Sequence, residues 1–223
     1  MSFVPPLTLG SSYRGFIQVA VGEGDQLQTF DVHEDIITAR SPFFKKAMSG
    51  DWKEAQDRLV KLPDDNPAIF QLYVHLLYTN MLAVVPDPLP PNYTGSNEHV
   101  KLAKLYVLAE KLQDIDTKNT VLEAMLLATR QTRSDGKCYY PGNGPICLIY
   151  AGTVPGSPMR KLLVDFYTYQ AEANWLSESD ETWPTEFTHE LAIKLLDKRE
   201  APIDPTRTGD ASRYMEVKDK TET

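Results

Sequence analysis

The chain has 223 residues, 42% of them hydrophobic and 24% charged, which are the proportions of an ordinary globular protein. That length holds one large domain, or one domain with an extension, and a core that needs neither disulfide nor metal. A formal net charge of −8 and a pI near 5.0 set the chain against nucleic acid, since phosphate binding relies on clustered Lys and Arg.

The opening MSFVPPLTLGSSYRG has neither the basic start nor the long apolar run of a signal peptide. No later stretch approaches 18 uninterrupted apolar residues, so no membrane span is predicted. Cytoplasm, nucleus or both are the expected location. Phe16 to Val21 then places Ile17, Val19 and Val21 on one face. Gly22-Glu23-Gly24-Asp25 turns the chain, and Gln28 to Val32 returns with Phe30 and Val32 aligned. This alternation about a glycine turn predicts a β-hairpin. A short helical turn follows through Ile36, Ile37 and Ala39. Ser41-Pro42 supplies a helix cap and a proline at the first helical position, starting a helix through Phe43, Phe44 and Met48 that stops at Gly50.

Leu59 to Leu62 reads as a short strand closed by Pro63. Asn66-Pro67 repeats the cap and proline ahead of AIFQLYVHLLYT, whose apolar stripe is too broad for a surface helix. Four prolines between residues 86 and 91 predict an exposed loop. Asn92-Tyr93-Thr94 within it fits a glycosylation sequon, expected to stay bare without secretion. Two helices come next. EHVKLAKLYVLAEKL aligns Leu102, Leu105, Tyr106, Ala109 and Leu112, and Thr117 to Thr129 turns Val121, Leu122, Met125 and Leu126 inward.

Glycine and proline break the pattern at residues 137–145. Cys138 and Cys147 lie nine apart with no second pair to complete a zinc site; two reduced thiols are the simpler expectation over a small closed loop. ICLIYAGT reads as a short strand or extended segment. Ser157-Pro158 starts a helix expected to run through MRKLLVDFYTYQAEANWL, and a last amphipathic helix uses Phe187, Leu191, Leu195 and Leu196. From Arg199 onward, mixed charge and low apolar content predict disorder.

The ordered motifs resemble the BTB/POZ domain. Phe30-Asp31-Val32-His33 is similar to the family's F-x-x-H, Ser41-Pro42-Phe43-Phe44 to its S-P-x-F, and Trp52-Lys53-Glu54 to its W-x-E. LPDDNPAIF from Leu62 and Leu77-Tyr78-Thr79 complete the set. VLAEKLQDIDTKN followed by IYAGTVPGSPMRKLLVDFY is similar to a set of fungal BTB proteins, so the resemblance spans residues 13 to 175. It implies an α+β fold, a BTB/POZ domain over residues 13–130 with a helical extension over 131–198 packed on it. Residues 1–12 and 199–223 are expected to be flexible.

The resemblance also implies that His33 is a buried, hydrogen-bonded fold residue and that Phe43 and Phe44 pack a helical hairpin. Phe43, Phe44, Phe70, Tyr73, Leu105 and Tyr106 are expected to share one core. Two departures stand out. Tyr13-Arg14-Gly15-Phe16 offers no carboxylate for the charged pocket many relatives keep at a dimer interface, and the residues before the hairpin show little pattern for an exchanged strand. The oligomeric state is left open.

No catalytic constellation is present. His33, His75, His99 and His189 fall on four different elements, and no HExxH, GxSxG, P-loop or dinucleotide signature occurs. No catalytic, cofactor-binding or metal-binding residue is assigned, and an enzyme is not expected. Four residues are candidates for partner binding. Leu89 and Tyr93 sit in the proline-stiffened loop, which reads either as a presenter of these side chains at lower entropic cost or as a tolerated insertion. Trp175 and Trp183 lie in a segment, Ala171 to Ile193, that has no Lys or Arg and six acidic residues. That segment reads either as an acidic, aromatic docking surface or as a linker whose tryptophans pack down.

By resemblance the chain is a protein–protein interaction adaptor, a role that in this family often means binding a cullin scaffold and presenting a substrate for ubiquitination. The alternative is a stand-alone structural subunit closer to elongin C or Skp-type adaptors. The 223 residues contain no kelch, MATH or zinc-finger module, and the 80–97 loop has no clean hydrophobic-x-Glu cullin-binding motif.

Overall fold

Alternation along Phe16–Val21 becomes β1, which buries Ile17, Val19 and Val21 on one face. β2 (Gln28–His33) returns antiparallel, with Ile17 opposite Val32 and Val19 opposite Phe30. Gly22 at the turn has φ +83°, and a Cβ there would meet Gln26 O at 2.9 Å, so only glycine fits. β3 (Leu59–Leu62) joins β1 in parallel, and the strand order is β2-β1-β3. These facts come from a computed structural model that describes residues 15–200 apart from 51, 87, 89, 91, 92, 94 and 178–181. Of the flexible termini expected over residues 1–12 and 199–223, residues 1–12 and 201–223 lie outside the described residues, as do Tyr13 and Arg14.

The helical hairpin is α1 (Glu34–Arg40) and α2 (Pro42–Ala47). Ser41 joins them. Its Oγ accepts from Phe44 N at 3.2 Å and donates to Leu112 O at 2.6 Å. The first bond caps α2; the second ties the corner to the end of a distant helix. A short helix, α3 (Lys53–Asp57), precedes β3 and ends at Arg58 with φ 52°. Arg58 folds back to donate to Phe16 O and to pair with Glu34 at 2.8 Å.

α4 (Pro67–Thr79) starts at the Asn66 cap, whose side chain accepts from Ala68 N and Ile69 N. α5 (Ser96–Leu112) and α6 (Ile115–Arg130) complete this half. Phe44, Phe70, Tyr73, Leu105 and Tyr106 are fully buried in one cluster, with Phe43 half-buried against it. Asp114 is the polar knot of that cluster. It accepts from Tyr73 Oη at 3.1 Å, from Thr117 N at 2.9 Å and from Thr117 Oγ1 at 2.8 Å, and Arg40 Nη2 stands 3.5 Å away. Burial first, then the Asp114 charge, pushes the Tyr73 hydroxyl pKa up, so it stays a donor.

Residues expected as an extended segment, ICLIYAGT, are instead helical. α7 (Asn143–Gly152) buries Ile146, Ile149 and Tyr150, at helical spacing. A short apolar run has no period that separates strand from helix, and the decision falls to packing against α5. Gly152 makes that packing close: a Cβ there would fall within 2.6 Å of Val107 Cγ2 on α5.

α8 (Pro158–Gln170) is shorter than its sequence suggested. Ala171 turns extended, a separate turn α9 (Asn174–Ser177) follows, and Trp175 folds back against Tyr167 and Tyr140. Ring packing here overrides good helix formers. α10 (Thr185–Lys198) closes the structure by burying Phe187 and Leu191. Tyr106 Oη, 3.2 Å from Ser157 Oγ, joins α5 to the start of α8, and one buried cluster runs from the sheet to α10.

His33 also differs from expectation, being half-buried and not enclosed. Tyr78 Oη accepts from His33 N at 3.0 Å and lies 2.8 Å from its Nδ1, while the Phe16 ring sits 4.2 Å away. The imidazole is thus held between a strand end and a helix end.

Candidate interaction surface

Two surface features border the sheet and helices, and the sequence flagged only part of each. The first is a groove of about 620 Å³ between α2, α3 and β3. Phe43 and Ala47 of α2, Trp52, and Leu59, Val60 and Lys61 of β3 line it. Trp52 is 59% exposed. The ring stands beside a concave wall to which Pro42, Phe43, Ala47 and Leu59 give the apolar part. Lys46 and Lys53 stand on the rim, with Glu54 and Asp57 along α3.

The second feature is the proline-rich loop and the buried pair beneath it. Arg133 Nη2 lies 2.8 Å from Glu98 Oε2. The guanidinium carbon sits 5.3 Å from the centre of the Tyr93 ring, and Tyr93 Oη is 3.4 Å from Glu98 Oε2. Arg133 Nη1 also donates to Gln131 Oε1 at 2.8 Å, and its backbone N donates to Lys137 O. The loop is therefore fastened to the end of α6 through one arginine. Burial, then the Glu98 charge, pushes the Tyr93 pKa up. His99, one residue along α5, is buried, and among the described residues its Nε2 has no hydrogen-bond partner. Burial chiefly, helped by the Arg133 charge, lowers its pKa to about 4.

Of the four candidate partner-binding residues, Leu89 lies outside the described residues. Tyr93 is half-buried, held by Arg133 and Glu98, and borders a second hollow with Val84, Pro86 and Pro90. Trp175 and Trp183 are half-buried in a ring cluster on α8 and α10. Trp175 meets Tyr140 and Tyr167, and Trp183 stacks on Phe187 at 5.6 Å. Glu178, Asp180 and Glu181 between them lie outside the described residues. The structure does not bring the two tryptophans to the loop or to the Trp52 groove.

The sequence pointed to Trp52 as a fold marker, and nothing in its spacing announced that the ring is exposed. Arg133 sits just beyond a helix end, where no periodicity singles out a buried charge. Among the described residues, no cluster of three or more His, Cys, Asp or Glu side chains is placed to hold a metal ion, and Cys138 and Cys147 form no disulfide; Cys147 Sγ donates to Asn143 Oδ1 at 3.2 Å. No helix of the described residues is long and apolar enough to cross a membrane.

A small mixed sheet packs against a helical cluster, with an open groove at its edge. Residues 17–113 match the family model of the BTB/POZ domain, and this part of the chain has the BTB/POZ fold. The chain is similar to the mouse Kelch repeat and BTB domain-containing protein 4, at 27% identity over 110 residues, 49% of this chain. The match spans a fifth of the length of that relative, 20%. The BTB domain of zebrafish PATZ1 aligns at 16% identity over 49% of this chain and 75% of that one, with a TM-score of 0.35.

Proposed function

We propose that the chain is a non-enzymatic adaptor that carries its BTB/POZ domain to a scaffold protein, in the manner of cullin-type ubiquitin ligase adaptors of the cytoplasm or nucleus. The observation that carries this reading is the exposed Trp52 in a groove beside α2, on a domain whose family works by binding proteins. Apolar surface of this kind, surrounded by charged residues, stabilises an interface by leaving water. The proline-rich loop with Leu89 and Tyr93 would form a second contact on the helical side.

The test mixes the purified chain with the N-terminal domains of the cullins of the same organism and follows co-elution by size exclusion. A complex that is lost in Trp52→Asp supports the adaptor reading. Co-elution that Trp52→Asp leaves unchanged rejects the groove as the docking face. Absence of any cullin complex favours the other reading, a structural subunit of the elongin C or Skp kind.

A further inference from the structure

The groove at Trp52 has a second property, which lies in the backbone. Among the described residues β3 is an edge strand, paired with β1 alone. Gln18 N donates to Arg58 O at 2.9 Å, and Gly22 N donates to Leu62 O at 3.0 Å. With Val19 opposite Val60 and Val21 opposite Leu62, a parallel ladder uses the peptide groups of Arg58, Val60 and Leu62 toward β1. The N–H and C=O groups of Leu59 and Lys61 therefore point away from the sheet. Among the described residues, no hydrogen bond takes them up.

These free groups face the groove. Side chains of successive strand residues alternate faces, and Val60 is buried toward the core while Lys61 is exposed on the other side. A hollow lined by Leu59, Val60 and Lys61 together must run along the strand's edge, not over one face. An unpaired edge is a template for another extended chain, and main-chain bonds with side-chain pockets are a known way to bind a peptide.

Charge selects the occupant. Lys46, Lys53 and Lys61 line the groove, and none has an ion-pair partner among the described residues. Two carboxylates, Glu54 and Asp57, share the lining, so the groove is net positive on a chain whose net charge is −8. A second copy of β3 would bring a strand that carries Lys61 and no carboxylate to this lysine-lined edge, and like charges facing across a strand pair are unfavourable.

We propose that the β3 edge binds an extended acidic segment of a partner protein as a fourth strand. Leu59 and Lys61 supply the main-chain bonds, Trp52 and Phe43 hold an apolar side chain, and Lys46 and Lys61 pair with its carboxylates. This rests on the reading of the groove as the docking face and adds the chemistry of what docks.

The probe is a capped eight-residue peptide alternating valine and glutamate, titrated into the ¹⁵N-labelled full chain. Two controls accompany it: the same peptide with lysine for glutamate, and a fully N-methylated version that has no N–H to donate. The expected result is a saturable shift of the Leu59 and Lys61 amides, at least tenfold weaker binding of both control peptides, and tenfold weaker binding to the Lys46→Glu/Lys61→Glu variant. Both lysines are exposed, so that variant should fold, and an unchanged thermal transition checks it. Equal binding of the N-methylated or lysine peptide overturns the proposal. So does absence of binding, shifts confined to residues away from β3, or β3 amide shifts with protein concentration alone, which would mark a second copy as the occupant. If the peptide fails while Trp52→Asp still abolishes a scaffold complex, strand addition falls and the adaptor reading stands.

Discussion

Arg133 and Glu98 form a buried ion pair 2.8 Å long, with side-chain exposures of 4% and 6%, between the end of α6 and the first turn of α5. The contact spans 35 residues of sequence and has Tyr93 of the proline-rich loop resting on it. Glycine at position 95 makes room for it, because a Cβ there would come within 2.6 Å of Arg133 Nη2.

Removing one member of such a pair leaves the other charge buried and uncompensated. Arg133→Met is expected to destabilise the chain by about 3–5 kcal/mol, the usual range for a broken buried pair. The double variant Arg133→Met/Glu98→Met should lose less than the sum of the two singles, since it leaves no orphan charge. Urea unfolding of the four proteins in a cycle measures both effects, and additive losses would show that the pair is not coupled.

His99 gives the chain an acid sensitivity of predictable sign. Its pKa falls from the ordinary 6.5 to about 4 in the folded chain, through burial and the nearby Arg133 charge. Below pH 6.5 the unfolded chain binds a proton that the folded chain refuses, so stability falls as pH drops and levels off below about 4. The loss across that window is about 3 kcal/mol. Carboxylates also titrate near the lower end, so the comparison is with His99→Leu: between pH 6.5 and 4.5 the variant should lose less stability than the wild type. Parallel curves would sink the assignment.

Phe44 is fully buried and meets Phe43 edge-on at 5.3 Å and Phe70 at 6.4 Å. Phe44→Ala should therefore lower unfolding stability by about 3–5 kcal/mol, from lost transfer energy and an unfilled cavity. Thermal and denaturant midpoints read this directly. A loss under about 1 kcal/mol would mean that the core collapses around the gap.

The hairpin, the two proline-started helices and the core aromatics could be read because each depends on local chemistry. Alternation placed Ile17, Val19 and Val21, and side-chain caps placed Ser41 and Asn66. Where tertiary packing decides, the sequence misleads. Residues 146–150 follow no distinctive period and become helical against α5, and the chain breaks after Gln170 because Trp175 packs back on Tyr167. The binding surface was least legible. Tyr93 was flagged for its loop, yet its position depends on Arg133 forty residues on. The open edge of β3 depends on a parallel pairing with β1 that no local pattern encodes.

The seam between α5 and α7 can be tested at Gly152. Gly152→Ala is expected to destabilise by about 1–3 kcal/mol through overpacking against Val107, even though alanine is the better helix former. Adding Val107→Ala should restore part of the loss. If Gly152→Ala alone proves stabilising, the helices have room that the present geometry denies them. An isolated fragment of residues 138–198, lacking α5, should show no cooperative thermal transition.

Asp114 belongs to no helix interior, yet it receives bonds from α4 through Tyr73 and from α6 through Thr117, with Arg40 of α1 beside it. Three elements far apart in sequence therefore cannot open one at a time without stranding the same carboxylate. In amide exchange, the slow protons of α1, α4 and the first turns of α6 should behave as one cooperative unit. Asp114→Asn keeps the shape and weakens the bonds, and it should speed exchange in all three together. A partner that grips α2 or the β3 edge would then be felt at α6, across the molecule, as slower exchange with no change of shape.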